Sequence, residues 1–347
     1  MPQAMAYYPL TRAFRLDTFE GKPVVAFVGG GGKTTAMFML ADELAAQGRR
    51  VVTTTTTRLF ASQRAQSPAW CPTGELASLS ALLDEHGQCL ITAGDGNWKD
   101  GKAHGLAPEQ VMALATRDDV AAVLVEADGS RVRPFKAPAE HEPVLPAGAT
   151  HVVVLVGADV FGKPLSAEHV HRPERVSTLG GVALGTPVTP DLVVRILSHP
   201  QGGLQYVPDQ AHYLPFLNKV EEPADIMQAE ETADLLLAHP RPREVLLASL
   251  HTLRQSEIVP RGRIARSGGH PKANPPQGHP KSPPKGAFRK IQRRSRSAAI
   301  LLAAGASTRY GESKQLLEWQ GRTLVEHAVM VALEVCETVL VVVGHDA

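Results

Sequence analysis

The chain has 347 residues, 43% of them hydrophobic, which is enough for more than one packed core, and its formal net charge is only +1. Cys71, Cys89 and Cys336 stand far apart without metal or redox spacing, which argues against a disulfide framework and fits a reducing cytoplasm. Residues 1–20 carry Arg12, Arg15, Asp17 and Glu20 without an apolar run, and no stretch reaches the roughly twenty apolar residues of a membrane span. Neither a secretory signal nor a membrane partner is expected.

Residues 24–28 read as a buried strand that runs into Gly29-Gly30-Gly31-Gly32-Lys33-Thr34-Thr35. Glycines let several backbone N–H groups converge on one anion, and a helix starting near Lys33 aims its positive end at the same place. The helix is legible from Met37, Leu40, Ala41 and Leu44 at i, i+3, i+4 and i+7, with Gly48 stopping it. The expectation is a phosphate-binding loop. Gly29, Gly30, Gly31 and Gly32 would cradle phosphate, Lys33 would reach the terminal phosphates, and Thr34, followed by Thr35, would offer a hydroxyl to Mg²⁺. The full Walker A spacing asks for glycine where Phe27 stands, so the loop is a shortened variant opening at Gly29.

Residues 51–57 form a β-branched run with five threonines. Thr53 and Thr54 suggest a half-exposed edge strand, whereas Thr56 and Thr57 fall at its carboxyl end, where open α/β sheets bind ligands, and could contact phosphate or metal. From 59 to 105 the signal weakens to a helical pattern over 76–83, a short strand at 89–92 and a loop from 94 to 105. A helix opens at Pro108. The apolar run 120–125 suits a buried parallel strand ending in Glu126-Ala127-Asp128-Gly129-Ser130-Arg131. Glu126 and Asp128 are the candidate catalytic acids, placed to orient an attacking water, with Asp128 joining Thr34 around Mg²⁺.

Three prolines in residues 132–143 require an ordered loop, which carries Arg133, Lys136, Glu140, His141 and Glu142 as residues able to face a ligand. The Glu140-His141-Glu142 spacing does not put two metal ligands on one helix face. A strand at 151–156, a loop to 164 and a polar lid around His169, His171, Arg172 and Glu174 follow. After a helix at 190–198 and a turn at Gly202-Gly203, a strand at 213–217 delivers Asn218-Lys219-Val220-Glu221. This is close to the Asn-Lys-x-Asp element that reads a guanine base, with Glu221 in place of Asp. A helix at 224–237 and a strand at 244–247 complete the predicted fold class: α/β, a doubly wound, mostly parallel sheet with a phosphate-binding loop.

Taken together, the Gly29 to Thr35 loop, Thr53 to Thr57, Glu126 to Ser130, Lys136 to Pro143, His171-Arg172-Pro173-Glu174 and Asn218-Lys219 resemble the YqeC family over roughly residues 20 to 255. That family comprises accessory proteins proposed for selenium-dependent molybdenum hydroxylases. The resemblance implies maturation of a molybdenum enzyme, with the molybdenum cofactor or a selenium-pathway enzyme as partner and an anionic small molecule as substrate.

Residues 260–297 hold seven prolines, many Gly and Ser and no hydrophobic periodicity, the composition of a linker. Eleven of the chain's 36 basic residues lie between Arg261 and Arg296, where no acid occurs, so the rest of the chain is net acidic. Without aromatic interleaving this tract reads as a solvated tether, and no nucleic-acid partner is expected. From Ala298 a strand leads into a glycine-rich loop with Gly305, Arg309 and Lys314, suited to a nucleoside triphosphate losing pyrophosphate. This stretch resembles the MobA-like nucleotidyltransferases, including molybdopterin cytidylyltransferases, which usually show Met where Tyr310 stands. CTP is the nucleotide that resemblance implies. Residues 298–347 supply two strands and one helix of such a Rossmann-like domain, without the family's Mg²⁺-holding aspartates, so this incomplete α/β segment is expected to be inactive.

The expected organisation is therefore an NTP-binding domain at 1–259, a linker at 260–297 and a partial nucleotidyltransferase domain at 298–347. The first functional reading is an Mg²⁺-dependent NTPase or transferase using ATP or GTP. The alternative is a nucleotide-gated chaperone that delivers the molybdenum cofactor or selenium without transforming it.

Overall fold

The computed structural model describes residues 9–94, 101–255, 291–295, 298–303, 318–319, 321–333 and 338–343. The chain divides into two compact units, Met1–Arg293 and Arg294–Ala347.

In the first unit a short helix, α1 (Leu10–Ala13), precedes β1 (Val24–Gly29) and α2 (Lys33–Ala46). α1 carries no sequence signature of its own. It is held by Glu43 of α2, whose two carboxylate oxygens accept from Leu10 N at 3.0 Å and Thr11 N at 2.9 Å. There follow β2 (Val51–Thr55), β3 (Arg58–Phe60), α3 (Ala61–Arg64), β4 (Trp70–Pro72), α4 (Leu79–His86), β5 (Gln88–Thr92), β6 (Lys102–His104), α5 (Pro108–Thr116) and β7 (Ala122–Glu126). The second half of the unit holds β8 (Phe135–Lys136), β9 (His151–Gly157), β10 (Val170–His171), α6 (Pro173–Gly180), α7 (Pro190–Leu197), β11 (His212–Asn218), α8 (Pro223–Leu237), β12 (Glu244–Leu247) and α9 (Leu250–Gln255).

Nine strands make one sheet in the order β13-β12-β11-β9-β1-β7-β2-β5-β4, parallel at every pair from β12 to β4. Its far edge is β13 (Gln292–Ser295), whose first two residues close the first unit. β1 is central. Its side chains alternate between two cores: Val24, Ala26 and Val28 face one, while Val25 and Phe27 face the other beneath α2. A sheet covered on both sides is the α/β class that the strand–helix alternation implies. The chain lays β2, β4, β5 and β7 on one side of β1 and β9, β11 and β12 on the other. The loop after β1 sits at this reversal, where such sheets open a crevice at their carboxyl ends.

Three expectations need correction. β2 is an interior strand, and Thr53, Thr54 and Thr55 are fully buried. Thr54 Oγ1 donates to Ile91 O at 2.9 Å and Thr55 Oγ1 to Glu126 O at 2.7 Å, so neighbouring strands supply the acceptors that water would have given. The expected loop at 94–105 contains β6, which pairs antiparallel with β3. Ile291, in the stretch read as a linker, is buried in the core beneath α2, and Gln292–Ser295 form a strand.

In the second unit β14 (Ala298–Ala303) and β17 (Thr338–Val343) pair parallel, and β15 (Glu318–Trp319) and β16 (Arg322–Thr323) form a hairpin before α10 (Leu324–Leu333). Thr323 and Glu326 cap α10 reciprocally, Thr323 N to Glu326 Oε2 at 2.7 Å and Glu326 N to Thr323 Oγ1 at 3.3 Å. On this helix Leu324 is 42% and Val331 64% exposed. No helix among the described residues is long and apolar enough to cross a membrane.

Candidate functional site

The loop between β1 and α2 is fixed from three sides. Gly30 N donates to Leu155 O of β9 at 2.8 Å, and Gly29 N donates to Asp128 Oδ2 at 2.9 Å. Asn218, at the end of β11, donates from Nδ2 to Gly31 O at 2.7 Å and accepts from Leu250 N at 3.0 Å. Gly31 has φ +79°, and a Cβ there would run into the backbone of Gly157; Gly32, at φ +128°, would meet the Asn218 amide. The packing therefore demands glycine. The N–H groups of Gly31, Gly32, Lys33, Thr34 and Thr35 make no hydrogen bond to the described residues. These are the orphan donors of a fourteen-residue helix and the turn before it, the geometry with which a loop can cradle an anion.

Lys33 is 4% exposed. Its Nζ donates to Gly29 O at 2.7 Å and lies 3.3 Å from Asp128 Oδ1 and 3.7 Å from Glu126 Oε1. Burial pushes its pKa down, but Asp128 and Glu126 outweigh burial and hold the ammonium above its usual value. Glu126 closes the strand beside β1, and its Oε2 accepts from Thr34 Oγ1 at 2.7 Å. Burial raises its pKa, with Lys33 and the Thr34 hydroxyl opposing. Gln63, on α3, donates to the same hydroxyl at 2.8 Å. It comes from the stretch where the sequence signal is weakest, and no motif marks it.

Asp128 is drawn into the loop. Its Oδ2 takes the Gly29 N–H and stands 3.0 Å from Lys136 Nζ, while Oδ1 lies 3.3 Å from Lys33 Nζ. The acid beside the Thr34 hydroxyl is Glu126. Thr34 and Glu126 fit Mg²⁺ as a pair of hard oxygen donors; among the described residues no three His, Cys, Asp or Glu form a ready cage, so a bound cation would draw its other ligands from water and phosphate.

Lys136, on β8, extends the charge array. Its Nζ donates to Gly129 O and to Glu142 Oε2, both at 2.7 Å. Arg172, just before α6, grips Glu142 with a fork, Nη1 to Oε2 at 2.7 Å and Nη2 to Oε1 at 3.0 Å. Glu126, Lys33, Asp128, Lys136, Glu142 and Arg172 thus form an unbroken chain of alternating charge.

The segments that build this array are those whose sequence is most distinctive. Residues 25–174 match the YqeC family. The matching description is "YqeC protein", and residues 299–347 match a MobA-like NTP transferase domain. The Escherichia coli (strain K12) protein YqeC is 33% identical over 145 residues, which cover 41% of this chain and 57% of that relative. A probable molybdenum cofactor guanylyltransferase of Bacillus cereus (strain AH820) is 42% identical over 52 residues, 15% of this chain and 26% of that protein. The chain thus spans little more than half of the YqeC relative and about a quarter of the transferase. Among solved structures, chloroplast FtsY from Physcomitrella patens aligns with a TM-score of 0.35 at 13% identity, covering 65% of this chain and 59% of that one.

Other expected site residues lie elsewhere or do less. Thr57 Oγ1 is 3.1 Å from Thr55 Oγ1, a turn contact after β2. Thr35 is half-buried on the first turn of α2. Asn218 braces the YqeC-matching loop, Lys219 Nζ pairs with Asp159 Oδ2 at 2.6 Å, and Glu221 Oε1 accepts from Ser249 Oγ at 2.6 Å, so this element's polar groups are engaged within the protein. Gly305, Arg309 and Lys314 lie outside the described residues.

Proposed function

We propose that the first unit binds a nucleoside triphosphate, ATP or GTP, on the glycine loop and uses it, with Mg²⁺, in maturing a molybdenum hydroxylase of the selenium-dependent kind. The observation that carries this reading is the set of five open N–H groups from Gly31 to Thr35, with Lys33 behind them and Thr34 and Glu126 beside them. The pairing of a YqeC match with a MobA-like match fits a molybdenum-related accessory role. CTP remains the nucleotide proposed for the C-terminal segment, on the resemblance stated above.

In this reading the loop N–H groups bind the phosphates, and Lys33 exchanges Gly29 O for a terminal phosphate oxygen. Thr34 and Glu126 would hold Mg²⁺, which would neutralise charge on the phosphates. Asp128 positions the loop through Gly29 N and keeps Lys33 charged. The test is calorimetric titration of the full chain with ATP, GTP and CTP, with and without Mg²⁺. Absence of binding by all three would remove the reading. Phosphate release without any partner protein supports an enzyme; binding without release supports a nucleotide-gated carrier.

A further inference from the structure

Glu142 is held like a ligand. It receives the planar fork of Arg172 and the ammonium of Lys136, and although burial opposes its ionisation, those cations hold its pKa down at about 2. The imidazole of His171 lies within the same field: burial and then Arg172, Lys136 and Arg131 push its pKa to about 4. His171 pairs with Lys136 in the β10–β8 ladder, which places it beside that lysine and its Glu142 partner. A bidentate guanidinium and a buried ammonium are the donors with which proteins bind phosphate.

We propose that Arg172, Lys136 and His171 form a second anion site, beside the glycine loop, for the phosphomonoester group of the acceptor substrate, and that Glu142 occupies it in the ligand-free chain as a displaceable stand-in. A phosphomonoester dianion brings two charges where Glu142 brings one. The backbone under Glu142 is pinned separately, Gln205 Nε2 donating to Ala139 O at 2.7 Å and also to Glu142 O, and Tyr206 donating to Glu140 O at 2.6 Å. The side chain can swing out while the turn stays in place. Access is from solvent, since the Arg172 side chain is 28% exposed and Arg131 is exposed. Lys136 also touches Asp128, which touches Gly29 and Lys33, so an anion here adjoins the nucleotide site. The inference rests on the nucleotide reading for the acceptor's role, though not for anion binding itself.

The test follows the His171 imidazole resonance by NMR while inorganic phosphate is added to the full chain. Wild type should respond saturably, Glu142→Gln should respond at least tenfold more tightly because the competitor's charge is gone, and Arg172→Gln should lose the response. Glu142→Gln keeps size and shape, so it answers even where Arg172→Gln folds poorly, and Arg172→Lys should restore part of the response. No tightening in Glu142→Gln, or an unchanged response in Arg172→Gln, would overturn the proposal. Repeating the titration with bound ATP separates the two readings. Nucleotide binding without a His171 response removes only the acceptor site, whereas a His171 response without nucleotide binding removes only the reading of the glycine loop.

Discussion

The Thr34 hydroxyl donates to the Glu126 carboxylate across 2.7 Å, joining the first turn of α2 to the carboxyl end of β7. Glu126→Gln keeps the contact's shape but removes the charge. Nucleotide binding without Mg²⁺ should be nearly unchanged, and the gain on adding Mg²⁺ should disappear in calorimetric titrations. Asp128→Asn should behave differently, because it leaves Lys33 and Lys136 buried with half their compensation. Breaking such a pair costs about 3–5 kcal/mol, so the loss should appear as a lower Tm. A stable Asp128→Asn protein that has lost only its Mg²⁺ response would return the metal to Asp128.

Lys33→Ala removes the cation that would meet the terminal phosphates. Affinity for ATP or GTP should fall at least tenfold, about 1.4 kcal/mol. Unchanged affinity would sink the assignment of the loop.

Much of this architecture was legible because its signals are local. β1, the glycine loop and α2 announce themselves by an apolar run, four glycines and a 3.6-residue period, and β7, β9 and β11 by apolar runs. The depth of β2 was hidden, since threonine hydroxyls look solvent-facing until Ile91 O and Glu126 O are known to be beside them. What separates Glu126 from Asp128 was hidden for a similar reason. Two residues apart on a strand end, they differ only in what the fold brings to each, Thr34 to one and Lys136 to the other. The Glu142–Arg172 pair spans thirty residues without periodicity, and β13 follows a proline-rich tract that dominates its composition.

Gly31→Ala should be far more damaging than an exposed substitution. The residue would be forced to φ +79° and its methyl into the backbone of Gly157, a strain of about 1–3 kcal/mol before any clash is counted. Chemical denaturation should show a lower midpoint, with nucleotide affinity falling in parallel. Wild-type values for both would mean that the loop can rearrange at little cost.

Acid should expose the Glu142 contribution. Its pKa of about 2 in the folded chain lies below the ordinary 4.5, so the stability it provides is complete above about pH 4.5 and is lost as pH falls towards 2. Asp119, paired with Arg117, is likewise held near 2 and adds to the same limb. The informative quantity is a difference: between pH 4.5 and 2 the Glu142→Gln protein should lose stability less steeply than wild type. Parallel curves would show that Glu142 carries no linked proton.

The seating of Gly31 between the Gly157 backbone and the Asn218 amide also bears on speed. A loop braced in this way has little ordering left to complete when a ligand arrives, so little conformational entropy is spent on capture. Stopped-flow mixing with a fluorescent nucleotide should then give one exponential whose rate rises linearly with concentration, without the plateau of a loop that must first fold around its guest.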